Sequence, residues 1–591
     1  MSDPTVETRT QHAMLVVWGQ YAQAQGLIDE LDKVPLHQKT VIHDPHTKIL
    51  EFFVAKLGGL EHLQELSKAA EPIEKDEAVA RAWRQPGWVD YSSVSRALTV
   101  LTQEEARKIV AAFDRVEQPI INREVMMALA KTGCLVFDGD LTPRAVSNTS
   151  TTYPGAAYGR MDENVLGLGY QAAQVCVHSP TYGRLMLSSA LHPGDIVSCA
   201  QTEALVEAAE GRAGMRPLRR VDLLTQRLES MSVQRKIREH RCDESHQTLK
   251  KASAALPVIR QEIELCQEEL AEKEREYREK GRKERPFSAL GKLRSRLGVL
   301  QRRQSRLEKK LPKLEGQLAF RQKKLAEILS QEFELRQRLK QFECDNAENT
   351  FPIRAVFRLD AGFGTRENLI WLIEMGYDVH TRPHGNWLTA RLKRQAKDLT
   401  WTRVGDNAEM VAWKDLLLQD FPYPLDIGLG RFHTGSTLRH TAMIHFGSDL
   451  VTDHLESWFD YYNARQTIEA GIKEGKRIFV MHHLHVRSQP ALYLQEQFAR
   501  FAANFVRSAA QWLAEQCPQL PSGWDNPAQP RVKQQVKVAA HTSAWVSWQE
   551  QGCLLRFTNH SVFAGRSLQL RKSFAIQLAL PFAENVQFQH F

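Results

Sequence analysis

The stretch IRAVFRLDAGFGTRENLIWLIEMGYDV, residues 353–379, predicts a β-strand followed directly by an α-helix. Its first apolar run ends at Asp360, two glycines then permit a tight turn, Thr365 can cap a helix, and Gly376 can end it. Catalytic groups of open sheets gather at the carboxyl ends of strands. The stretch therefore predicts an α/β fold with Asp360 as a candidate site residue, and an ordinary turn aspartate is the alternative.

A second strand is predicted at residues 133–142, GCLVFDGDLT, whose apolar run ends on Asp138 and Asp140. These aspartates are two residues apart, so they share one face of the strand. The following residues, 143–161, are rich in Ser, Thr, Pro and Gly and predict a loop, and residues 166–195 alternate like paired antiparallel strands. Together these segments predict the first half of a mixed sheet.

Residues 228–346 have a different pattern, that of a coiled coil. Leucine and isoleucine occupy alternating heptad positions over about five heptads: Leu293, Leu297, Leu300, Leu307, Leu311, Leu314, Leu318, Leu325 and Ile328. An earlier helical run can fold back on this one through residues 281–291, which predicts an antiparallel hairpin. Pro312 faces outward in this register and should kink the second helix rather than end it.

Positive charge is concentrated in this predicted hairpin. The chain has a net charge of +8, but residues 251–340 alone carry +10, which leaves the rest near −2. A local excess of this kind favours a polyanion as partner, although solubility alone would also explain it. The candidate DNA-binding residues, called the basic segment below, are Arg302, Arg303, Arg306, Lys309 and Lys310. A purely structural arm or a dimer contact is the alternative.

A third acidic residue comes from residues 461–476, YYNARQTIEAGIKEGK. If this stretch is one helix, Tyr462, Arg465, Glu469 and Lys476 lie within an arc of roughly 60°. A solvated polar stripe is the alternative, but a neighbouring apolar stripe indicates that one edge faces the core. Two glycines in the helix interior, at 471 and 475, suggest either that another group approaches closely there or that the helix ends early.

The carboxylates at Asp138 or Asp140, Asp360 and Glu469 are the hard oxygen ligands that Mg²⁺ prefers. Two such ions can activate an attacking oxygen and stabilise a leaving oxygen in phosphodiester chemistry. The spacing of Tyr462, Arg465, Glu469 and Lys476 resembles the Y-(2)-R-(3)-E-(6)-K signature of bacterial insertion-sequence transposases of the DDE class. The segments RLDAGFGTRENL and DLT resemble the second- and first-aspartate motifs of the same family.

This resemblance implies an RNase H-like mixed-sheet catalytic core in which Asp140, Asp360 and Glu469 hold two Mg²⁺ ions, with Mn²⁺ as a substitute. Asp138 is the alternative first ligand, and the threonine spacing favours Asp140. Tyr462, Arg465 and Lys476 would contact DNA phosphates. The family further implies cut-and-paste transposition of double-stranded DNA, in which transposon ends are cleaved and joined to target DNA by a homodimer. The basic hairpin departs from the family's usual plan.

The resulting domain plan has five segments. Residues 1–130 form a helical N-terminal domain, either a binder of DNA ends or an ordinary helical bundle. The two halves of the core are 131–227 and 347–515, with a β-rich insertion at about 380–450. The coiled-coil hairpin, 228–346, separates these halves, and 516–591 is a small β-rich C-terminal segment.

Two rival functions remain open from the sequence: a metal-dependent DNA nuclease without strand transfer, and a domesticated DNA-binding protein. The eight cysteines show no C-x-x-C pair, the start lacks the apolar core of a signal peptide, and no run is apolar enough to span a membrane. These features favour a reducing cytoplasm, and the family resemblance implies a bacterial one, with association to the nucleoid. The HHLH stretch at 482–485 lacks nearby cysteine or carboxylate partners, which favours ordinary histidines over a zinc site.

Overall fold

A computed structural model describes residues 7–37, 43–162, 165–283, 285–419, 421–435, 437–481, 484, 486–517, 520–524, 526, 531–550 and 552–571. His482, His483 and His485 lie outside these residues. The chain divides into two compact units, one formed by residues 1–218 with 349–591 and the other by residues 219–348. Across the described ranges, no helix is both long and apolar enough to cross a membrane.

The fold is mixed α/β, as the sequence predicts. The strands, in chain order, are β1 (Glu7–Thr10), β2 (Cys134–Ala145), β3 (Ala157–Asp162), β4 (Val165–Ser179), β5 (Gly183–Pro193), β6 (Arg354–Leu359), β7 (Asp378–Thr381), β8 (Thr402–Gly405), β9 (Ala408–Leu416), β10 (Leu425–Thr434), β11 (Thr437–Phe446), β12 (Ala544–Gln549), β13 (Gly552–Phe557) and β14 (Ser567–Arg571).

The helices are α1 (Ala13–Ala24), α2 (Leu27–Asp32), α3 (Pro45–Leu57), α4 (Glu65–Lys68), α5 (Glu77–Ala82), α6 (Tyr91–Val100), α7 (Gln103–Thr132), α8 (Thr202–Ala213), α9 (Val221–Glu279), α10 (Ala289–Glu348), α11 (Arg366–Glu374), α12 (Trp387–Gln395), α13 (Leu455–Asn463), α14 (Gln466–Arg477), α15 (Gln489–Gln516) and α16 (Val532–Lys537).

A large mixed sheet carries the candidate site. Its strands follow the order β3-β4-β2-β6-β7-β11-β10-β9-β8, and β5 pairs with β4. The central strand β2 is antiparallel to β4 and parallel to β6, while β7 is parallel to β6. The strand–turn–helix unit predicted around Asp360 is confirmed, because β6 ends at Leu359 and the Thr365 side chain accepts a hydrogen bond from the backbone N–H of Asn368 at the start of α11.

Strand β2 is longer than the sequence analysis predicted. The predicted boundary between the strand 133–142 and the loop 143–161 is wrong, because β2 continues to Ala145 and β3 begins at Ala157. Its last residues pair with β4, Thr142 opposite Ala172 and Arg144 opposite Tyr170. Asp140 therefore lies within a strand, at the point where the parallel pairing with β6 ends.

The predicted β-rich insertion at about 380–450 contains β8, β9, β10 and β11, together with α12. It does not form a sheet of its own, because β11 pairs antiparallel with β7 and so continues the large sheet. The insertion is thus tied to the core along a β ladder.

The N-terminal helices and the C-terminal strands share one hydrophobic core with the helix α15. Strand β1 pairs with β12 in a four-stranded sheet, so the two ends of the described chain meet. The rings of Phe53 and Phe113 pack against each other and against those of Phe498 and Phe501, with centroids 4.8–5.5 Å apart. These buried aromatic contacts join the predicted segment 1–130 to α15, while the shared core and the β1–β12 pairing join the described part of 516–591 to the same compact unit.

The second unit is a hairpin of two helices, α9 and α10, which contains the predicted segment 228–346. Cross-helix ion pairs run in opposite directions along the two helices, with Arg235 on Glu332 and Arg294 on Glu274, so the pair is antiparallel as predicted. Leu300, Leu318 and Ile328 are buried at predicted heptad positions, and Pro312 is exposed inside an uninterrupted α10.

Replacement of Gly376 tests the turn between α11 and β7. Gly376 has φ +100°, and a Cβ placed there would lie 2.0 Å from the carbonyl oxygen of Leu218. We expect Gly376→Ala to lower the free energy of unfolding by more than about 2 kcal/mol, because strain and a backbone clash add. Gly211→Ala is the matched control: this exposed position in α8 has open space for a Cβ, and alanine should stabilise it by up to about 1 kcal/mol. If urea unfolding showed the same change in the free energy of unfolding for both variants, the strained turn at Gly376 would be contradicted.

Candidate active site

The parallel pairing of β2 with β6 brings two of the predicted carboxylates together. The last pair in this ladder is Gly139 opposite Leu359, so Asp140 and Asp360 follow at the same level on neighbouring strands. Paired positions of adjacent strands point to one face and lie about 5 Å apart. Asp360 is fixed further by its own turn, where its Oδ1 accepts a hydrogen bond of 2.9 Å from the Gly362 N–H.

The predicted helix through 461–476 is two helices. Helix α13 ends at Asn463 and α14 begins at Gln466, and the turn between them tightens through i to i−3 hydrogen bonds such as Ile468 N–H to the Arg465 carbonyl, 3.0 Å. The single-helix prediction is therefore wrong. The contacts of the sheet give the reason: the Tyr462 hydroxyl donates to the Leu359 carbonyl at 3.2 Å, and Thr467 donates to Asp138 at 3.2 Å.

These two contacts anchor the helix pair over the end of β6 and the middle of β2, and α14 then presents Glu469. The Arg465 guanidinium bonds the Glu469 carboxylate at 2.9 Å. Burial alone would lower the pKa of Arg465, but its neighbours raise that pKa above the ordinary value, and they are, from the strongest, Tyr462, Asp140, Glu469 and Asp360. One guanidinium thus interacts with all three predicted carboxylates.

The pKa of Asp140 also reflects the nearness of Asp360 and Glu469. Burial raises its pKa to about 7, and the negative charge of Asp360 adds to this increase, as does that of Glu469. The charge of Arg465 and the Leu141 N–H oppose the increase without cancelling it. The three carboxylates therefore form a cluster whose mutual repulsion is only partly neutralised.

Asp138 lies on the same strand face but in a different environment. It is fully buried, and the Arg358 guanidinium holds it through two hydrogen bonds of 2.7 and 2.8 Å. His178 adds a contact of 2.7 Å. Burial opposes its charge, yet these partners lower the pKa of Asp138 below the ordinary value. Its oxygens are engaged by protein groups, whereas the backbone N–H of Leu141 is the hydrogen-bond donor resolved at Asp140.

The other two signature residues also lie near the cluster. Burial lowers the pKa of Lys476, with Arg144 acting in the same direction, while the charges of Asp162 and Asp140 oppose the decrease. The ammonium therefore lies within electrostatic reach of the first carboxylate. Tyr462 is buried, with its hydroxyl on the Leu359 carbonyl and the Arg382 guanidinium 5.2 Å above its ring. In this structure its contacts are to the strand end, and its predicted phosphate contact stays a prediction.

The close approach predicted at the glycines of α14 is confirmed. A Cβ at Gly471 would lie 2.9 Å from Nε of Arg184, and one at Gly475 would lie 2.9 Å from Sδ of Met481. Arg184 also bonds Glu474 of the same helix, and Arg507 bonds that carboxylate at 2.6 Å. Small residues on this face allow α14 to seat closely against β5, which positions Glu469.

Sequence reasoning did not find Arg358, His178 or Thr467, all of which contact Asp138. One signal was available for Arg358: it lies two residues before Asp360 in the strand RAVFRL, so it shares the face of Asp360. A cation on that face of a buried strand requires an anion, and Asp138 was the nearest candidate along the predicted sheet. His178 and Thr467 carried no comparable signal.

The residues of the basic segment all lie on α10 in the second compact unit, and all five are exposed. No protein-family model matches the chain, and a search of curated proteins finds no significant match.

The two aspartates of β2 should respond oppositely to neutralisation. Because the pKa of Asp140 is raised in the folded state, its contribution to stability is complete below its unfolded pKa near 4 and is lost as the pH rises through about 7. We therefore expect Asp140→Asn to stabilise the protein in EDTA at pH 8 by roughly 1–3 kcal/mol, and by much less at pH 5.

Asp138→Asn is the matched control on the same strand face. It leaves the Arg358 guanidinium buried without its counterion, so we expect a loss of about 3–5 kcal/mol at pH 8. The lowered pKa of Asp138 means that the stabilisation it provides is lost as the pH falls toward its folded pKa. Urea unfolding between pH 5 and 8 measures both variants, and a destabilising Asp140→Asn would contradict the carboxylate cluster.

Proposed function

We propose that this protein is a DNA transposase of the DDE class, which cleaves DNA at transposon ends and joins the new 3′ ends to target DNA. The observation that carries the proposal is the strand register that places Asp140 and Asp360 side by side, with Glu469 held near them by its bond to Arg465, whose guanidinium also senses both aspartate charges. These residues are separated by hundreds of positions, and the family resemblance requires them to meet. Cut-and-paste transposition on double-stranded DNA by a homodimer follows from that resemblance.

The order and direction of the strands in the large sheet support an RNase H-like fold. Strands β2, β4 and β5 form an antiparallel meander, and β6 and β7 then add parallel to β2. Asp140 lies on β2, the first strand of this array, and Asp360 directly follows β6, the strand that pairs parallel with β2. Glu469 comes from a helix that packs on β2 beside the end of β6, an arrangement compatible with an RNase H-like catalytic core.

The donor set fits a pair of Mg²⁺ ions, or Mn²⁺ in their place. All three groups are carboxylates, which are the ligands these hard cations prefer. Asp140 has a pKa raised by burial and by its two acidic neighbours, so binding of cations would relieve an existing repulsion. Asp138 fits less well, because Arg358 and His178 already engage it. When bound, the ions supply an activated oxygen nucleophile and stabilise the leaving oxygen.

The side chains around the carboxylates have separate tasks in this proposal. Arg465 offers a planar fork for a phosphate, and its Nη1 is buried with no hydrogen-bond partner among the described residues. Lys476 offers a point charge near Asp140. Tyr462 positions the end of β6 through the Leu359 carbonyl, so that Asp360 is held at the level of Asp140.

Substitution of single carboxylates tests the chemistry. We expect Asp360→Asn and Glu469→Gln each to reduce Mg²⁺-dependent cleavage by more than about 100-fold, with DNA binding retained. The substrate is a duplex carrying the sequences that flank the reading frame. Glu456→Gln is the matched control, because Glu456 is an exposed carboxylate on α13. Cleavage retained in both site variants would refute the assignment.

A joining assay separates transposition from simple hydrolysis, the main alternative function. A duplex with precleaved ends should be inserted into a plasmid by the wild-type protein. Cleavage without joining would identify a metal-dependent nuclease, and binding without either reaction would identify a domesticated DNA-binding protein.

The basic segment on α10 is proposed to contact DNA. Replacing its five residues by glutamine should weaken binding and reduce the slope of log affinity against log salt by about 0.9 for each DNA phosphate that the protein no longer neutralises. Fluorescence anisotropy over a salt series measures both quantities. The substituted residues are Arg302, Arg303, Arg306, Lys309 and Lys310, all exposed.

The matched control removes the same amount of charge elsewhere in the hairpin, at five exposed residues: Lys236, Lys250, Lys251, Arg282 and Lys283. A smaller effect in this control supports a defined DNA-binding surface on α10. Equal effects in the two variants would mean that the hairpin attracts DNA only through its overall positive charge. Unchanged binding in both would mean that the hairpin serves dimerisation or a purely structural role.

A further inference from the structure

A row of polar side chains crosses the large sheet at the level of Asp138, two residues before Asp140 on β2. Strand pairing places Asp138 opposite Arg358, Arg358 opposite His380, His380 opposite His445, and His445 opposite Asp426. Directly paired residues of neighbouring strands point to the same face, so these side chains form one continuous line. The ion pair of Asp138 with Arg358 satisfies the polar atoms at one end of the row. The two histidines in its middle have ring nitrogens without hydrogen-bond partners among the described residues.

His380 and His445 are buried to 1 % and 0 % exposure, and their ring centroids are 4.5 Å apart. Among the described residues, neither ring nitrogen of His380 has a hydrogen-bond partner, and neither does Nε2 of His445. A buried, unpaired polar group costs about 1–3 kcal/mol. Three such nitrogens side by side therefore require an explanation.

A metal ion would satisfy two of these nitrogens, one on each ring. The side chain of Asp449 supplies a third donor, and one ligand atom from each of the three residues lies within 4.8 Å of the others. Zinc bonds of about 2.0–2.1 Å place tetrahedral ligand atoms about 3.3 Å apart. Side-chain rotations that move each ligand atom by about 1 Å would therefore bring these atoms to coordinating distance. Asp449 is half exposed, which leaves a route for the ion and a position open to solvent.

The neighbouring groups are those of a metal centre. Nδ1 of His445 lies 3.1 Å from a carboxylate oxygen of Asp426, and this contact would orient Nε2 toward the ion, as carboxylates do for many metal-bound histidines. Arg354 bonds Asp449 at 2.6 Å and Asp378 at 2.9 Å, so its charge is balanced by two carboxylates.

We propose that His380, His445 and Asp449 bind a divalent transition-metal ion, with Zn²⁺ as the best fit. Two imidazoles and one carboxylate are typical zinc ligands, whereas Mg²⁺ prefers oxygen alone. The ion joins β7 of the core to β11, the strand by which the β-rich insertion continues the sheet. Its role is to fasten the insertion to the core, and it is separate from the carboxylate cluster.

Metal retention by the full-length protein tests this site. Protein stripped with a chelator is incubated with Zn²⁺ in the presence of excess Mg²⁺, desalted and measured by mass spectrometry of the metal. The Asp360→Asn/Glu469→Gln background removes retention by the carboxylate cluster. We expect about one Zn²⁺ per chain, and a higher unfolding temperature with zinc than with EDTA.

The ligand variants are His380→Phe, which keeps an aromatic ring beside Tyr461, and His445→Gln, which keeps a donor for Asp426. Both should lose the retained zinc and the thermal shift. Two controls should keep them: His433→Ala, which removes an exposed histidine of β10, and the triple alanine variant of His482, His483 and His485. Loss of zinc only in this triple variant would overturn the proposal, as would equal retention in all variants or no retention by the parent.

A second measurement avoids dependence on variants that fold poorly. Co²⁺ added to the stripped parent protein should give the intense visible absorption of a four- or five-coordinate ion, and Zn²⁺ should displace it. A weak spectrum identical to that of Co²⁺ in buffer would overturn the proposal.

Discussion

The ion pair between Asp138 and Arg358 is the interaction on which the architecture of the site depends. It lies at the pairing of β2 with β6, where both side chains are fully buried and joined by two hydrogen bonds. A buried pair of this kind tolerates neither a missing partner nor a shifted register, because either leaves a charge without compensation. One register is thereby favoured, and in that register Asp140 and Asp360 lie side by side. The same aspartate accepts a hydrogen bond from Thr467, so the pair also fixes the start of the helix that carries Glu469.

Local sequence signals were sufficient for elements whose stability is local. The strand and turn at Asp360 and the heptads of α10 were predicted correctly, because glycine turns, a threonine cap and a leucine repeat act over a few residues. The break between α13 and α14 was missed because its causes are distant: the Tyr462 hydroxyl bonds a carbonyl of β6, and Thr467 bonds a residue of β2. The far end of β2 was missed for a similar reason, since Arg144 looks like a loop residue until its buried pairing with Glu496 is known.

The choice between Asp138 and Asp140 shows the limit most clearly. The two residues are identical in type and share a strand face, so alternation cannot separate them. Their environments differ through partners more than 200 positions away in the chain, Arg358 for one and Asp360 for the other. The partners of Asp138 lower its pKa despite burial, whereas burial and the like charges of Asp360 and Glu469 raise the pKa of Asp140. Burial and charge in three dimensions distinguish a structural aspartate from a candidate ligand.

The position of the helical hairpin affects how the chain reaches its native state. Strands β2 and β6 are neighbours in the sheet, yet the 130 residues of the hairpin unit, 219–348, separate β5 from β6 in the chain. During synthesis at about 5–20 residues per second, the first half of the sheet waits for several seconds before its central partner emerges. Helical hairpins fold rapidly because their contacts are local. When α9 and α10 pair first, they replace a long flexible connection by a short one. The entropic cost of closing the loop between β2 and β6 is then smaller.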